Sequence, residues 1–242
     1  MNVLQKIVII YVIHLAFQMD MLYMNCVCIL KACFKQIDNN LVNLRELLTN
    51  DEPCRLSGTY TAQRTPFILL DITALKKQHL AINGAVRMLN MVFSLQLVST
   101  ILMAFAHIIF NMYFYFIVII KNSVSMTDLQ RHSLYMYFII FITYYIIKLG
   151  MILWACETSK NQALEIKSTV RDVFNHTNNE QIKYELELFS LQVLHCENVF
   201  SAKWIIIDAA LFKSLISNIT TYLLILVQFL YMSKSCVENL FR

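Results

Sequence analysis

Twenty consecutive residues near the C-terminus, between Lys213 and Lys234, carry no charged side chain. As an α-helix rising about 1.5 Å per residue, this segment is long enough to cross a hydrocarbon layer about 30 Å thick. An uncharged helix of that length is typical of a membrane span. We therefore expect the chain to lie in a bilayer.

The composition supports this interpretation. Hydrophobic residues make up 58% of the 242-residue chain and charged residues 15%, against about 25% charged residues in soluble domains. Only three glycines and two prolines are present, which favours membrane helices over a β-barrel. The net charge of +4 is small and dispersed, so no nucleic-acid partner is predicted.

The sequence contains no motif for a metal, a cofactor or catalysis. The seven cysteines include no CxxC pair, and the six histidines are dispersed, so neither residue type has metal-ligand spacing. Asp20 is the only carboxylate within an apolar segment, and no second acid or nucleophile–base pair accompanies it. We predict a protein that is not an enzyme and that uses no cofactor.

Four segments are predicted to be transmembrane helices. Their expected ranges are 1–27, 95–120, 132–154 and 204–233. The second lies within thirty-three residues between Arg87 and Lys121 that carry no formal charge, about 50 Å as helix and longer than the bilayer core requires. A signal peptide is the alternative for the first, because Lys6 precedes an apolar run, although no small-residue cleavage site follows.

The segments between these spans differ in character. Residues 28–94 and 155–203 contain amphipathic stripes with helical spacing, 121–131 form a polar loop, and 234–242 form a short tail. Pro53, Gly58 and Pro66 predict a further loop over residues 51–66. The stripes are Leu30, Phe34, Ile37, Leu41, Leu44 and Leu48; Ala163, Ile166, Val170 and Val173; and Ile182, Leu186, Phe189, Val193 and Cys196. Such stripes need partners, so we expect them to pack together as a helical bundle.

The distribution of Lys and Arg predicts the orientation. Residues 31–87 contain eight of these cations and residues 148–213 contain seven, whereas five lie on the other side of the membrane. By the positive-inside tendency the bundle is cytoplasmic and the C-terminus extracellular. The predicted fold class is an all-α membrane protein with four long transmembrane helices whose cytoplasmic extensions form an anchor bundle.

The last membrane helix carries a polar stripe. Ser214, Ser217, Thr221 and Gln228 follow steps of three, four and seven, which place them on one helix face. One interpretation is a stripe that faces water. The alternative is that Ser and Thr bond to their own helix and that Gln joins neighbouring helices.

The same helix carries a motif of known type. Thr221-Tyr222, five aliphatic residues and Gln228-Phe229 resemble the TYhhhhhQF signature that closes the last transmembrane helix of insect gustatory receptors. Phe200-Ser201-Ala202, followed by Ile207-Asp208 and Leu211, resembles the entry into that helix. The resemblance covers essentially the whole chain, but only as the fourth to seventh helices of a seven-helix receptor.

This resemblance implies a ligand-gated, non-selective cation channel of four subunits in the plasma membrane, opened by a small-molecule tastant. The expected partners are other gustatory receptor subunits and the lipid bilayer. The residues implied at the pore and gate are Ser214, Ser217, Thr221, Tyr222, Gln228 and Phe229.

Polar and aromatic side chains in the outer halves of two helices are candidates for ligand binding. They are His107, Asn111 and Tyr115 on one helix and Tyr135 and Tyr137 on the other, with Tyr113 and Tyr144 nearby. Aromatic and amide groups suit sugars or bitter organic molecules. The alternative is that the tyrosines are interfacial anchors.

Other functions are less consistent with the sequence. A G-protein-coupled receptor requires seven helices and the opposite orientation, and a transporter requires helices broken by Gly or Pro near the midplane. The main alternative to a channel subunit is a non-conducting receptor fragment, since the first three helices of the family are missing here.

Overall fold

The computed structural model describes residues 3–50, 58–120, 128–196, 198–203 and 205–240. Side chains are not described for residues 9, 10, 50, 58–64, 120, 128 and 234–240 within those ranges. The chain divides into two compact units. Unit 1 comprises Met1–Ser94 and Ala155–Ile207, and unit 2 comprises Leu95–Trp154 and Asp208–Arg242.

Nearly every described residue is helical. The elements are α1 (Val3–Asn50), α2 (Gly58–Ile120), α3 (Asp128–His176), α4 (Glu180–His195), β1 (Ser201–Ala202), β2 (Ile205–Ile206) and α5 (Ala209–Leu240). Four of the helices, α1, α2, α3 and α5, are long and apolar enough to cross a membrane. This confirms the predicted all-α class with four long apolar helices. The continuation of α1 and α3 beyond their apolar segments also agrees with the prediction.

Four predicted boundaries were wrong. Helix α3 begins at Asp128, within the loop expected over residues 121–131, and α5 continues to Leu240, past the end expected at residue 233. The loop expected over residues 51–66 is shorter, because α2 begins at Gly58 and includes Pro66; residues 51–57 lie outside the described part. A proline lacks one backbone donor, and here the helix continues past it. The last helix begins at Ala209 rather than at residue 204, because a β-hairpin precedes it.

Apolar stripes form the core of unit 1, as the sequence predicts. The buried members are Leu30, Phe34, Ile37, Leu41 and Leu44 of α1, Ala163, Ile166, Val170 and Val173 of α3, and Ile182, Leu186, Phe189 and Val193 of α4. Polar contacts also join α1 to α3. Thr169 donates to Asp38 Oδ1 at 2.6 Å, and Arg45 pairs with Asp172 at 3.2 Å.

The described part of unit 2 contains a hydrophobic cluster. Ile101, Ala104 and Ile108 of α2 are buried with Tyr145 and Leu149 of α3. The partly buried residues packed against the cluster include Leu211, Leu215 and Ile219 of α5. Since these three are four residues apart, α5 presents one continuous face to the cluster.

Capping residues explain where α4 and α5 begin. Asn179 is the N-cap of α4, and its Oδ1 accepts from the backbone N–H groups of Gln181 and Ile182 at 3.0 and 3.5 Å. Asp208 precedes α5, and its Oδ1 accepts from the N–H of Leu211 at 3.0 Å. Each side chain satisfies donors that the first helical turn leaves unpaired.

Candidate functional site: two polar stripes

The polar stripe of α5 faces away from the hydrophobic cluster of unit 2. At 100° per residue, its four members lie on average about 130° around the helix axis from the face that contains Leu211, Leu215 and Ile219. All four, Ser214, Ser217, Thr221 and Gln228, are exposed in the single chain. The surface they form is therefore open to water, lipid or another subunit.

The threonine hydroxyls on α5 are satisfied within the helix. Thr221 Oγ1 donates to the carbonyl of Ser217 at 3.0 Å, and Thr220 Oγ1 donates to that of Ile216 at 2.9 Å. Each hydroxyl still has acceptor capacity. Thr220 and Thr221 thus make the same local bond but point about 100° apart around the axis.

Tyr222 and Phe229 lie on a different side of α5 from the stripe. The Tyr222 ring meets Phe105 of α2 edge-on, with centroids 6.0 Å apart. Phe229 follows seven residues later, on the same side as Tyr222, and is 66% exposed. The six residues that the motif predicts at the pore therefore divide into a polar group of four and an aromatic pair.

The structure brings some of the predicted ligand residues together. Tyr115 contacts Tyr135 and Phe138 of α3, with centroids 5.6 and 6.1 Å apart. The His107 ring stacks on Tyr145, with centroids 5.0 Å apart and planes inclined by 10°.

The remaining ligand candidates make more local contacts. Asn111 Nδ2 donates to the His107 carbonyl at 2.7 Å, one turn earlier on α2. Tyr137 lies beside Phe141 at 4.5 Å, on another face of α3 from Tyr135. Sequence reasoning missed Tyr145, although its spacing from Phe138 and Phe141 indicates a common helix face.

A second polar stripe lies on α2 in unit 1, and sequence reasoning missed it. Lys76, His79, Asn83 and Asn90 follow steps of three, four and seven, the same spacing as on α5. We call these four residues the α2 seam. Lys76 and His79 bind α4, Asn90 binds the segment that contains the β-hairpin, and Asn83 bonds to His79. Most of this stripe is therefore paired with other segments of the chain.

His79 lies at the centre of the α2 seam and is fully buried. Its Nδ1 lies 3.2 Å from Asn83 Nδ2 and 3.1 Å from Gln192 Nε2. Since both contacting atoms are amide nitrogens, which only donate, Nδ1 accepts and the ring proton belongs on Nε2. Gln192 also donates to the carbonyl of Lys76 at 2.9 Å.

Burial lowers the pKa of His79 to about 4, because a charged ring in the apolar interior loses its hydration. His79 lies outside the membrane segment expected over residues 95–120. The rings of Phe34 and Phe189 lie 6.3 and 5.7 Å from it. The histidine is thus a neutral structural group that joins α1, α2 and α4.

Comparisons with known proteins were consistent with the sequence motif. Residues 3–233 match the model of a family described as 7tm chemosensory receptor. Over 141 residues the chain is 26% identical to gustatory receptor 28b of Drosophila melanogaster. This match covers 58% of this chain and 30% of that protein.

A solved structure has a similar fold. It is an olfactory receptor of the insect Machilis hrabei in complex with eugenol, with a TM-score of 0.56 and 11% identity. The match covers 80% of this chain and 45% of that receptor. The chain therefore spans less than half the length of either relative.

Proposed function

Because the chain belongs to the 7tm chemosensory receptor family, we propose that it is a gustatory receptor subunit that forms a ligand-gated, non-selective cation channel. The observation that carries the proposal is the position of the α5 stripe. Its hydroxyl and amide groups lie away from the packed face and are exposed in one chain. A polar face on a membrane helix is costly against lipid, so it favours a water-filled path or a partner subunit.

In the proposed assembly, copies of α5 from four subunits surround an axis, with Gln228 about 10 Å beyond Thr221 along the helix. Neutral hydroxyl and amide dipoles would stabilise cations without a full charge and discriminate weakly among them. Tyr222 and Phe229 would form the gate beside this path. In this proposal the bundle is cytoplasmic, the C-terminus is extracellular and the membrane is the plasma membrane.

Adjacent threonines provide a matched test of the pore face. Thr221→Val removes a hydroxyl from the stripe, whereas Thr220→Val removes the same hydroxyl, bonded in the same way, from a neighbouring face. We expect single-channel conductance or cation selectivity to change in Thr221→Val and to match wild type in Thr220→Val. Gln228→Ala should also change conductance.

Currents should be recorded in cells that express the chain alone and together with other gustatory receptor subunits, with surface labelling as a control. Equal effects of the two threonine substitutions would contradict the pore face. A chain that reaches the surface but conducts under neither condition would be the non-conducting alternative.

Ligand binding is proposed near Tyr115 and Tyr135, where two tyrosines and Phe138 meet. Hydroxyl and aromatic groups can hold a small organic tastant by hydrogen bonds and stacking. Tyr115→Ala should raise the half-maximal concentration for agonists in a panel of sugars and aromatic compounds, with unchanged single-channel conductance. Tyr113→Ala on the same helix is the control, and an equal shift there would contradict the site.

Glycosylation tests the orientation. Asn175-His176-Thr177 is an acceptor sequon at the exposed end of α3. The proposed cytoplasmic bundle predicts that Asn175 carries no glycan when the chain is expressed in insect cells. A mobility shift that glycosidase removes, and that Asn175→Gln abolishes, would reverse the orientation.

A further inference from the structure

The side chain of Asn90 holds the segment that leads into α5. Its Nδ2 donates to the carbonyl of Val199 at 2.7 Å, and its Oδ1 accepts from the backbone N–H of Ser201 at 3.2 Å. The amide thus binds one donor and one acceptor on a single stretch of backbone, in the way that a neighbouring strand does. We call this pair of bonds the Asn90 clamp.

The clamped segment is a small hairpin that needs external support. Ser201 pairs with Ile206 and Ala202 with Ile205, and the N–H of Ile207 donates to the carbonyl of Phe200 at 2.9 Å. Strands of two residues are only marginally stable by themselves. Phe200 and Ala202 are buried, so the hairpin depends on its contacts within unit 1. The Asn90 clamp adds two directional hydrogen bonds to these apolar contacts.

The hairpin leads directly into the first turn of α5. Ile207, the last residue of the hairpin closure, is buried, and the next residue, Asp208, caps the helix. The hairpin and α5 are thus consecutive in the chain, with only Ile207 and Asp208 between β2 and α5. Asn90 is itself part of α2, an uninterrupted helix that ends at Ile120.

We propose that Asn90 is a positioning residue through which displacement of α2 changes the position of the hairpin and thereby the gating of the channel. This rests on the proposed function, because it requires α5 to line the pore. The two hydrogen bonds make the connection between Asn90 and the hairpin stiff. Hydrogen bonds weaken steeply once the distance or angle departs from the optimum, so the hairpin must follow Asn90 or lose both bonds.

The remaining members of the α2 seam do not provide this connection. Among the described residues, Lys76 bonds to α4 and Asn83 bonds to His79 within α2. His79 bonds to Asn83 and Gln192. Asn83 is therefore a suitable control. It has the same amide on the same face of α2, and removing it should affect packing around His79 without touching the hairpin.

The first test asks whether the clamp exists and does not depend on conduction. Hydrogen exchange of residues 199–207 is measured by mass spectrometry in purified wild type, Asn90→Leu and Asn83→Leu. We expect exchange in this segment to be at least about fivefold faster in Asn90→Leu, which corresponds to one net hydrogen bond, and unchanged in Asn83→Leu. Unchanged exchange in Asn90→Leu would overturn the clamp.

The second test asks whether the clamp affects gating. Asn90→Asp retains the acceptor for Ser201 N–H but places a second oxygen against the Val199 carbonyl. We expect both Asn90 variants to change the half-maximal agonist concentration by about fivefold, with wild-type single-channel conductance. Wild-type agonist sensitivity, or an equal change in Asn83→Leu, would overturn the positioning role. If wild type passes no current, the channel proposal and the gating role both fail, whereas the exchange result still decides the clamp.

Discussion

Lys76 of α2 and Glu185 of α4 form an ion pair in which Nζ lies 2.7 Å from Oε2. Their side chains are 20% and 27% exposed, so water screens the pair less than it would at the surface. The pair lies one turn from the buried His79 and fixes the register of α4 along α2. Its energetic contribution can be compared with that of a pair within α4.

A double-mutant cycle of Lys76→Ala and Glu185→Ala should give a coupling energy of about 1 kcal/mol. The matched control is Lys183–Glu180, whose members lie in one helix at 3.4 Å and are 32% and 87% exposed; we expect about 0.3 kcal/mol there. Both cycles are measured by thermal or urea unfolding in detergent. Equal coupling energies would contradict the role assigned to the pair between α2 and α4.

His79 should make the stability of the bundle depend on pH. The folded pKa of about 4 is below the usual value near 6.5, so the unfolded chain binds a proton more readily. The free energy of unfolding should therefore be fully retained above about pH 6.5 and fall by up to about 3 kcal/mol as the pH drops through 4.

His79→Gln should flatten this part of the pH profile, measured as melting temperature against pH. The control His195→Gln alters an exposed ring on α4 and should leave the profile as in wild type. A His79→Gln profile that retains the full acid loss would show that another group is responsible.

Two leucines of α4 allow the same substitution to be compared at a buried and at an exposed position. Leu186 is 0% exposed and Leu191 is 49% exposed. We expect Leu186→Ala to lower the free energy of unfolding by about 3 kcal/mol, because the substitution leaves a cavity, and Leu191→Ala by about 0.5 kcal/mol or less. The measurement is denaturant unfolding of the solubilised chain. A comparable loss in Leu191→Ala would show that this surface is covered in the purified protein.

The N-cap of α4 should also contribute measurably. Asn179→Ala removes the acceptor for two backbone donors and should cost about 1 kcal/mol. Asn175→Ala, in the exposed last turn of α3, is the matched control and should change stability by only a few tenths of a kcal/mol. Circular dichroism during thermal unfolding measures both, and equal effects would contradict the capping role.

Much of the fold was predictable because helical periodicity is local. Phe34, Ile166 and Phe189 recur at helical spacing with other apolar residues, and each is buried. The boundaries were less predictable, since Pro66 lies within a helix and the segment before Ala209 forms a hairpin. That hairpin depends on Asn90, more than 100 positions earlier in the chain, and no local pattern reveals such a partner.

For the candidate ligand residues, too, local sequence patterns do not reveal which side chains meet. Spacing places Tyr115 on α2 and Tyr135 on α3, but only packing shows that their rings meet. Tyr137 is two residues from Tyr135 and lies on another face of α3 beside Phe141. Composition identified the aromatic character of the region, whereas the arrangement of the helices decided which rings form a common surface.

The two polar stripes separate what the sequence determined from what the tertiary structure decided. The spacing of three, four and seven places Lys76, His79, Asn83 and Asn90 on one face of α2, and Ser214, Ser217, Thr221 and Gln228 on one face of α5; helix geometry alone requires this. In the tertiary structure the α2 face bonds to other segments of the chain, and the α5 face is exposed. Segments of α4 and the hairpin supply complementary donors and acceptors to α2, while the described residues leave the α5 stripe exposed. Most buried polar groups are paired with protein groups or ordered water, whereas an exposed one remains available to water, ions or another subunit.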